Sequence, residues 1–166
     1  IHALCTTDDP IDDLAHHQKC RSDGLDVGVF PTFRPDKALA VHQPEAWNAW
    51  CDKLSAASGV EVKSYADLLS ALEKRHDFFH SIGGRLSDHG LNHAHSHFIS
   101  DTEAERIFQK ARGGLAASAE EQDSFASNVM LFVGQLNSSK GWTMQLHLGP
   151  VRNNNSRLAR QIGADV

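Results

Sequence analysis

Residues 142–157 read WTMQLHLGPVRNNNSR. An apolar, strand-like run ends near His147, and a Gly-Pro break, an arginine and three asparagines follow it. A buried strand that delivers polar groups from its carboxyl end is typical of parallel α/β folds, in which ligands bind at that end of the sheet. The stretch therefore predicts the fold class and the edge at which a functional site would lie.

Three runs upstream predict further strands: IHALCTT (1–7), LDVGVFPTF (25–33) and a very short strand within GGRLSDHG (83–90). Helical segments separate them. Two of these carry apolar residues at the i, i+3, i+4, i+7 spacing of an amphipathic helix. The first has Trp47, Trp50, Cys51 and Leu54 on one face, and the second has Tyr65, Leu68, Leu69, Leu72, His76 and Phe79. Four strands separated by helices predict a parallel α/β arrangement.

Capping residues predict where several helices begin and end. Asp9 suits the N-cap and Pro10 the first turn of a helix that would stop near Gly24. Two later pairs have the spacing of capping boxes, namely Thr102 with Glu105 and Ser118 with Glu121. Gly141 would end the helix that begins after Ser118.

Composition narrows the class of protein. The chain has 166 residues, of which 40% are hydrophobic and 22% charged, as in an ordinary soluble globular domain. A net charge of -5 without a basic stripe argues against a nucleic-acid partner. No apolar run approaches the roughly 20 residues that a membrane span needs, and no signal peptide opens the chain. Cys5, Cys20 and Cys51 lack CxxC spacing, which favours reduced thiols and a cytoplasmic location.

The two ends of the sequence also carry information. The chain begins at IHALCTTDDP, already inside a strand-like run and without an initiator Met, and it stops at QIGADV shortly after a polar loop. We therefore expect both ends to lie inside a longer chain, and we find no repeat or linker between them.

Charged or titratable residues follow all four strands at one edge of the predicted sheet: Asp8 and Asp9, then Arg34, then Asp88 and His89, then His147 with Arg152. The guanidinium groups of the two arginines can each bind a carboxylate or phosphate through two hydrogen bonds. Asp88 and His147 form an acid/base pair, or a metal ligand with an orienting partner. The asparagines 153–155 suit hydroxyl groups. A sugar acid, with one carboxylate and many hydroxyls, would match this set.

Each of these groups also has a purely structural interpretation. Arg34 lies between prolines, where a salt-bridged loop arginine is common, and Asp88 could be a helix N-cap. His147 could be a hydrogen-bonded core histidine. The asparagines 153–155 could make turn and cap bonds, and Asp8 could cap a helix.

The densest histidine cluster lies in HGLNHAHSHF (89–98) and contains His93, His95 and His97. His-x-His is a metal motif when it lies on a strand that ends in a pocket. This cluster instead follows a glycine turn and precedes a polar helix start. In a helix only His93 and His97 could share an ion, because residues i and i+2 point apart. We therefore assign no metal ligand of a catalytic site within this chain.

Four stretches together resemble uronate isomerase, also called glucuronate isomerase. They are CTTDDPIDDLAHH (5–17), VFPTFRPDKAL (29–39), RLSDHGL (85–91) and WTMQLHLGPVRNNNSR (142–157). The match runs essentially end to end, in order and with similar spacing. The RPDK, SDHGL and MQLHLG-x-x-RNNN-x-R blocks are the most specific part of it.

The resemblance implies a fold and an activity. Residues 1–166 would be one segment of a distorted (β/α)8 TIM barrel of the amidohydrolase superfamily, with about four βα units and extra helices. The implied reaction interconverts D-glucuronate with D-fructuronate, and D-galacturonate with D-tagaturonate, through an enediol. By position in the family's motifs, Arg34 and Arg152 would bind substrate, and Asp88 and His147 would be catalytic.

The resemblance also implies a divalent metal, typically zinc, held by an HxH motif after the first barrel strand and an aspartate after the eighth. Neither ligand set belongs to this chain, so we expect the chain to be inactive alone and to associate through its open sheet edges. Two alternatives remain. One is a metal-dependent amidohydrolase-type hydrolase, which needs a bridging carbamylated lysine, for which only Lys37 is near a strand end. The other is a non-catalytic metal-binding module that uses the His93–His97 cluster.

Overall fold

A computed structural model describes residues 1–149 and 155–163. Strands and helices alternate along these residues. The strands are β1 (Ala3–Cys5), β2 (Gly28–Phe30), β3 (Leu86–Leu91) and β4 (Thr143–Leu148). The helices are α1 (Ala15–Ser22), α2 (Pro44–Ser58), α3 (Tyr65–Ser81), α4 (Asp101–Arg112), α5 (Ala119–Lys140) and α6 (Ser156–Ile162), with a 3-10 turn at Asp36–Leu39.

All strand pairs are parallel. β1 pairs with β2 and β3 pairs with β4. Phe33 connects the two pairs, because it forms parallel bridges to Asp8 on one side and to Ser87 on the other. The four strands therefore lie side by side in chain order, with their carboxyl ends at one edge. The predicted α/β class with parallel strands is confirmed, and β3 is longer than the very short strand that the sequence suggested.

Aromatic side chains fill the space between the strands and the helices. Phe33 is fully buried and packs edge-to-face against Phe79 of α3, at 5.1 Å between ring centroids. Trp47 of α2 meets Phe108 of α4 in the same way, at 5.3 Å. The apolar faces predicted for α2 and α3 are buried, so the helical spacing correctly identified which sides face the core.

The first and last strands are far more exposed than β3. Every residue of β1 is exposed, and so is every residue of β4 except Met144. Leu146 and Leu148 present apolar side chains to the surface. The two outer strands are therefore open edges in the described part of the chain.

The predicted start of α1 is wrong. The helix begins at Ala15 rather than at Pro10, and Leu14 before it has a left-handed φ of 55°. The Asp9 carboxylate does accept a backbone hydrogen bond, from the N–H of Ile11 at 3.1 Å, but it closes a turn there and caps no helix.

One of the two predicted capping boxes is correct. Ser118 and Glu121 exchange both hydrogen bonds at the start of α5. At the start of α4 the cap is Ser100, whose hydroxyl accepts from the N–H of Glu103, and not Thr102. The same spacing of residues fits both positions, two residues apart, so the motif alone could not distinguish them.

No helix in the described ranges is long and apolar enough to cross a membrane. Cys5, Cys20 and Cys51 are free thiols, as the sequence predicted. Burial raises the pKa of the Cys51 thiol to about 12. The cytoplasmic location stays a prediction.

Candidate active site

Three residues from different strand ends meet at one edge of the sheet. Asp88 of β3 lies between Arg34 and His147: its Oδ2 is 3.4 Å from Arg34 Nη1 and its Oδ1 is 2.7 Å from His147 Nε2. His147 pairs in register with Gly90, two residues after Asp88, so the two side chains project from the same face of the sheet. The predicted convergence of these three groups is therefore present.

Asp88 is a buried carboxylate within a strand, which excludes the helix N-cap interpretation. Its side chain is only 8% exposed, whereas that of His147 is 61% exposed. Within the described residues Asp88 Oδ1 accepts no hydrogen bond, although His147 Nε2 lies 2.7 Å from it. A buried carboxylate oxygen in this state favours a donor from a bound molecule.

Two nitrogens of the Arg34 guanidinium are held by carboxylates. Nε donates to Asp36 Oδ2 at 3.1 Å, and Nη1 lies 3.4 Å from Asp88. The third nitrogen, Nη2, lies against the backbone of Gly90, in the space that a Cβ atom there would occupy. Within the described residues Nη2 donates no hydrogen bond, and the Arg34 side chain is partly exposed.

Asp36 is the residue that the sequence did not single out. Its Oδ2 accepts from the Gly90 N–H at 2.8 Å as well as from Arg34, and its Oδ1 lies 3.2 Å from His89 Nδ1. Burial raises the pKa of Asp36, but the hydrogen bonds from His89, Gly90 and Arg34 outweigh that effect and the pKa is lowered. Its place in the RPDK block was the available signal.

His89 faces the helix layer rather than the surface and begins a buried chain of hydrogen bonds. His89 Nε2 lies 2.9 Å from Ser87 Oγ, which also accepts from Asn137 Nδ2 at 2.7 Å. Asn137 Oδ1 in turn lies 3.0 Å from His76 Nε2. Burial lowers the pKa of His76 to about 4, so this ring is neutral at neutral pH. This series of hydrogen bonds connects α3 and α5 to Asp36. His89 therefore supports the site from the side of the sheet that faces the helices.

Asp8 and Asp9 have structural partners. Asp8 accepts from the Thr6 hydroxyl at 2.6 Å and from the Thr32 N–H at 3.2 Å. Asp9 accepts from the indole N–H of Trp50 at 2.9 Å and pairs with Lys37 at 2.9 Å. Both carboxylates thus fasten the loops after β1 and β2 to each other and to α2.

The fourth candidate, Arg152, lies outside the described residues, as do Asn153 and Asn154. Asn155 is described and is the N-cap of α6, where its side chain accepts from the Leu158 N–H at 3.0 Å. For this asparagine the capping interpretation is correct.

The expectation that only His93 and His97 could share an ion is wrong, because the segment 94–100 is not helical. In the observed loop His93, His95 and His97 all reach one carboxylate, that of Asp123 on α5. Asp123 was not a candidate, since it lies 26 residues beyond the nearest of these histidines in the chain.

The residues at the sheet edge do not fit the catalytic metal that the resemblance implies. Among the described residues no three ligating side chains converge there, and the cation of Arg34 adjoins Asp88. Over residues 1–149 and 155–163, the one group of three converging metal-ligating side chains is His93, His95 and Asp123. It contains none of the sheet-edge residues.

Comparison with known proteins gives a consistent result. The family model for glucuronate isomerase matches residues 1–166. A uronate isomerase of Solibacter usitatus is 57% identical over 100% of this chain and 36% of its own length. A uronate isomerase of Opitutus terrae is 52% identical over 100% of this chain and 35% of its own length. The chain thus spans about a third of the length of the curated relatives it matches.

Solved structures agree with the sequence relatives. The uronate isomerase of Thermotoga maritima superposes with a TM-score of 0.90 at 31% identity, covering 99% of this chain and 36% of that one. The glucuronate isomerase of Caulobacter crescentus superposes with a TM-score of 0.81 at 29% identity, covering 100% of this chain and 35% of that one.

Proposed function

The chain belongs to the glucuronate isomerase family, and we propose that it supplies the sugar-acid-binding part of a uronate isomerase. The complete enzyme would interconvert D-glucuronate with D-fructuronate, and D-galacturonate with D-tagaturonate. The observation that carries this proposal is the meeting of Arg34, Asp88 and His147 at the carboxyl edge of parallel strands.

We propose that the four strands are half of a (β/α)8 barrel of the amidohydrolase type. Their parallel order in space follows their order in the chain, as successive strands of such a barrel do. The open edges at β1 and β4 would then pair with further strands. Without those strands, the same edges predict self-association of the isolated chain.

Arg34 is suited to the carboxylate of the substrate. Asp36 and Asp88 fix the plane of the guanidinium and leave Nη2 to donate to an incoming anion. Both carboxylates also reduce the positive charge at the site, so a second cation is needed for strong binding of an acid. We assign that role to Arg152, from its place in the family motif.

Asp88 and His147 are suited to proton transfer. In the reaction, a base removes the proton from C2 of the open-chain aldose while the carbonyl oxygen on C1 gains one, which gives the enediol. Return of a proton to C1 and loss of the O2 proton then give the ketose. The exposed ring of His147 can reach a substrate atom, and the buried carboxylate of Asp88 stabilises the ring when it is protonated.

A divalent metal, zinc by resemblance, remains part of the proposal for the complete enzyme. The sheet-edge residues described here do not form a ligand set for it, so its ligands would come from outside residues 1–166. The hydrolase alternative has less support, because Lys37 is paired with Asp9 and lies on the surface rather than between two metal ligands.

A chimera tests the proposal. The segment of the Solibacter usitatus uronate isomerase that matches this chain, 36% of that enzyme, is replaced by residues 1–166. We expect the chimera to convert D-glucuronate to its ketose. We expect Arg34→Ala to lower kcat/KM at least 100-fold, which corresponds to a loss of about 2.7 kcal/mol of transition-state stabilisation. Asp52→Ala, an exposed residue on α2, is the matched control and should leave the rate unchanged.

The chimera is first shown to be folded by far-UV circular dichroism and a cooperative thermal transition. A folded chimera without activity would overturn the proposal, because the substituted segment would then lack the required groups. Equal activity of the Arg34→Ala and Asp52→Ala variants would overturn the role of Arg34.

A further inference from the structure

A second cluster of ligating groups lies beside the sheet-edge site. His93 Nε2 and His95 Nδ1 lie 2.7 Å and 2.6 Å from Asp123 Oδ1, and His97 Nδ1 lies 2.6 Å from Oδ2. Three imidazole nitrogens therefore converge on one carboxylate. None of these residues has a part in the proposed isomerisation.

The loop that carries the histidines is fastened to α5 by its backbone. The His97 N–H donates to Ser127 Oγ at 2.9 Å, and Ser127 lies one helical turn after Asp123. The amide side chain of Asn128 binds both the N–H and the carbonyl of Ile99, at 3.1 Å and 2.8 Å. These bonds hold the backbone of the loop at His97 and Ile99 against α5, so the loop does not depend on the histidine side-chain contacts alone.

Two members of the cluster are held in place and two can adjust. The side chains of His95 and Asp123 are 6% and 15% exposed, whereas those of His93 and His97 lie mostly in solvent. The arrangement thus has a fixed imidazole–carboxylate pair and two mobile rings beside it.

The distances suit a small ion after a short movement. The ligating atoms of His93, His95 and Asp123 all lie within 4.8 Å of one another. Zinc binds imidazole nitrogen at about 2.0–2.1 Å and carboxylate oxygen at about 2.0–2.2 Å, which places tetrahedral ligands about 3.3 Å apart. The present contacts would have to lengthen by less than about 1 Å, and rotation of the exposed rings can supply this.

We propose that His93, His95 and Asp123 bind a divalent transition-metal ion of the zinc class. His97, which contacts the other oxygen of Asp123, would become the fourth ligand when its exposed ring turns towards the ion. Imidazole with one carboxylate selects zinc, cobalt, nickel or copper over magnesium and calcium, which prefer oxygen ligands throughout. The bound ion joins the loop after β3 to the first turn of α5. A closed set of four protein ligands is typical of a structural site.

The histidine cluster lines a cavity that it shares with residues of the sheet-edge site. The cavity of about 130 Å³ is lined by Asp36 and Gly90 of the sheet-edge site as well as by His93 and His95. The ion would therefore fix one wall of a cavity that also contains Asp36, the hydrogen-bonding partner of Arg34. Its role is to position a loop and not to take part in the reaction.

The test measures metal binding to the purified 166-residue chain, prepared without a histidine tag and freed of metal by a chelator. Isothermal titration with ZnCl2 should give one site per chain, and MgCl2 at equal concentration should give no heat. CoCl2 should give the visible absorption of a four-coordinate Co²⁺ ion. Zinc should also raise the Tm, because a ligand that binds the folded state stabilises it.

Variants identify the ligands. His93→Ala, at an exposed residue, and Asp123→Asn, which keeps the shape of the side chain, should each weaken zinc binding at least tenfold. His16→Ala, at an exposed histidine on α1, is the matched control and should leave the affinity unchanged. Circular dichroism establishes that each variant is folded.

Unchanged affinity in folded His93→Ala and Asp123→Asn would overturn the proposal, and so would an equal loss in His16→Ala. A chain that binds neither zinc nor cobalt would overturn it as well. These readouts involve no uronate, so they are independent of the isomerase assay.

Discussion

The guanidinium of Arg34 occupies the space beside Gly90 that a Cβ atom would fill. Gly90 has no positive φ, so its backbone would accept any residue. The glycine of the SDHGL block therefore leaves room for the Arg34 side chain, and a Cβ atom there would displace the guanidinium.

Gly90→Ala should therefore damage substrate binding with little effect on the fold. The added methyl group displaces the Arg34 nitrogen that donates no hydrogen bond in the described structure. We expect kcat/KM for D-glucuronate to fall at least tenfold, about 1.4 kcal/mol, in the chimera. The kinetic constants and the Tm of the variant are the measurements.

Gly134→Ala is the matched control for this substitution. Gly134 lies within α5, and the nearest atom to an added Cβ there is Met144 Sδ at 3.9 Å, an ordinary contact. Alanine should stabilise the helix by about 0.5–1 kcal/mol and leave kcat/KM unchanged. Equal kinetic losses in the two variants would contradict the role assigned to Gly90.

Asp36→Asn should act on the substrate through Arg34. Asp36 is a positioning residue, because its carboxylate binds Arg34 and the Gly90 N–H and lies behind the guanidinium. Asparagine keeps the shape but loses the charge that holds the guanidinium in its plane. We expect KM for D-glucuronate to rise about tenfold, with kcat changed by less than about threefold.

A change in KM without a change in kcat distinguishes a residue that positions Arg34 from one whose loss damages the whole fold. Asp52→Asn, at an exposed carboxylate that pairs with Arg112, is the control and should change neither constant. A fall in kcat at constant KM would contradict the assignment and would place Asp36 in the proton transfer itself.

Local patterns in the sequence predicted most of the fold and the meeting of three candidate site residues at one edge of the sheet. Strand order follows from alternation of strands and helices, and the carboxyl ends of parallel strands must share an edge, so Arg34, Asp88 and His147 could be placed together. The amphipathic faces of α2 and α3 were visible because burial repeats with the helical period.

Two errors concern local helix starts, those of α1 and α4. The others concern contacts between segments that are distant in the chain. Asp36 contacts His89, which lies 53 residues away in the chain, and Asp123 contacts histidines that lie 26–30 residues before it. The ligand geometry of the histidine loop was judged by helical spacing, whereas side chains of α5 bind the backbone of this loop in a non-helical conformation. Nothing in the local pattern of either segment shows the partner, so these contacts needed the structure.

The cap of α4 provides a direct test of a corrected boundary. Ser100 accepts a hydrogen bond from the Glu103 N–H at 3.2 Å, whereas Thr102 already lies within the first turn. Ser100→Ala should lower the free energy of unfolding by about 1 kcal/mol, and Thr102→Ala should change it by less than about 0.5 kcal/mol. Urea unfolding of both variants measures the difference, and the reverse order would restore the original capping prediction.

Protonation of His76 should destabilise the fold in mild acid. This ring is buried between Phe33 and Trp142, and burial lowers its pKa to about 4 from an ordinary value of 6.5. Between these two values the unfolded chain binds a proton that the folded chain does not. Stability is therefore highest above about pH 6.5 and falls as the pH decreases towards 4, by about 2 kcal/mol between pH 7.5 and pH 5.0 from this residue alone.

His76→Gln isolates this contribution, because glutamine does not titrate and its amide can still reach Asn137. The free energy of unfolding in urea is measured at pH 7.5 and pH 5.0 for the wild type, for His76→Gln and for His16→Gln at an exposed control position. We expect the wild type and His16→Gln to lose about 2 kcal/mol more than His76→Gln over this interval. The absolute stability of His76→Gln can be lower at both pH values without affecting the test, since only the difference between them reports the titration. An equal pH dependence in all three proteins would mean that His76 titrates near its ordinary pKa, and that the chain of hydrogen bonds from His76 to His89 accommodates a charge.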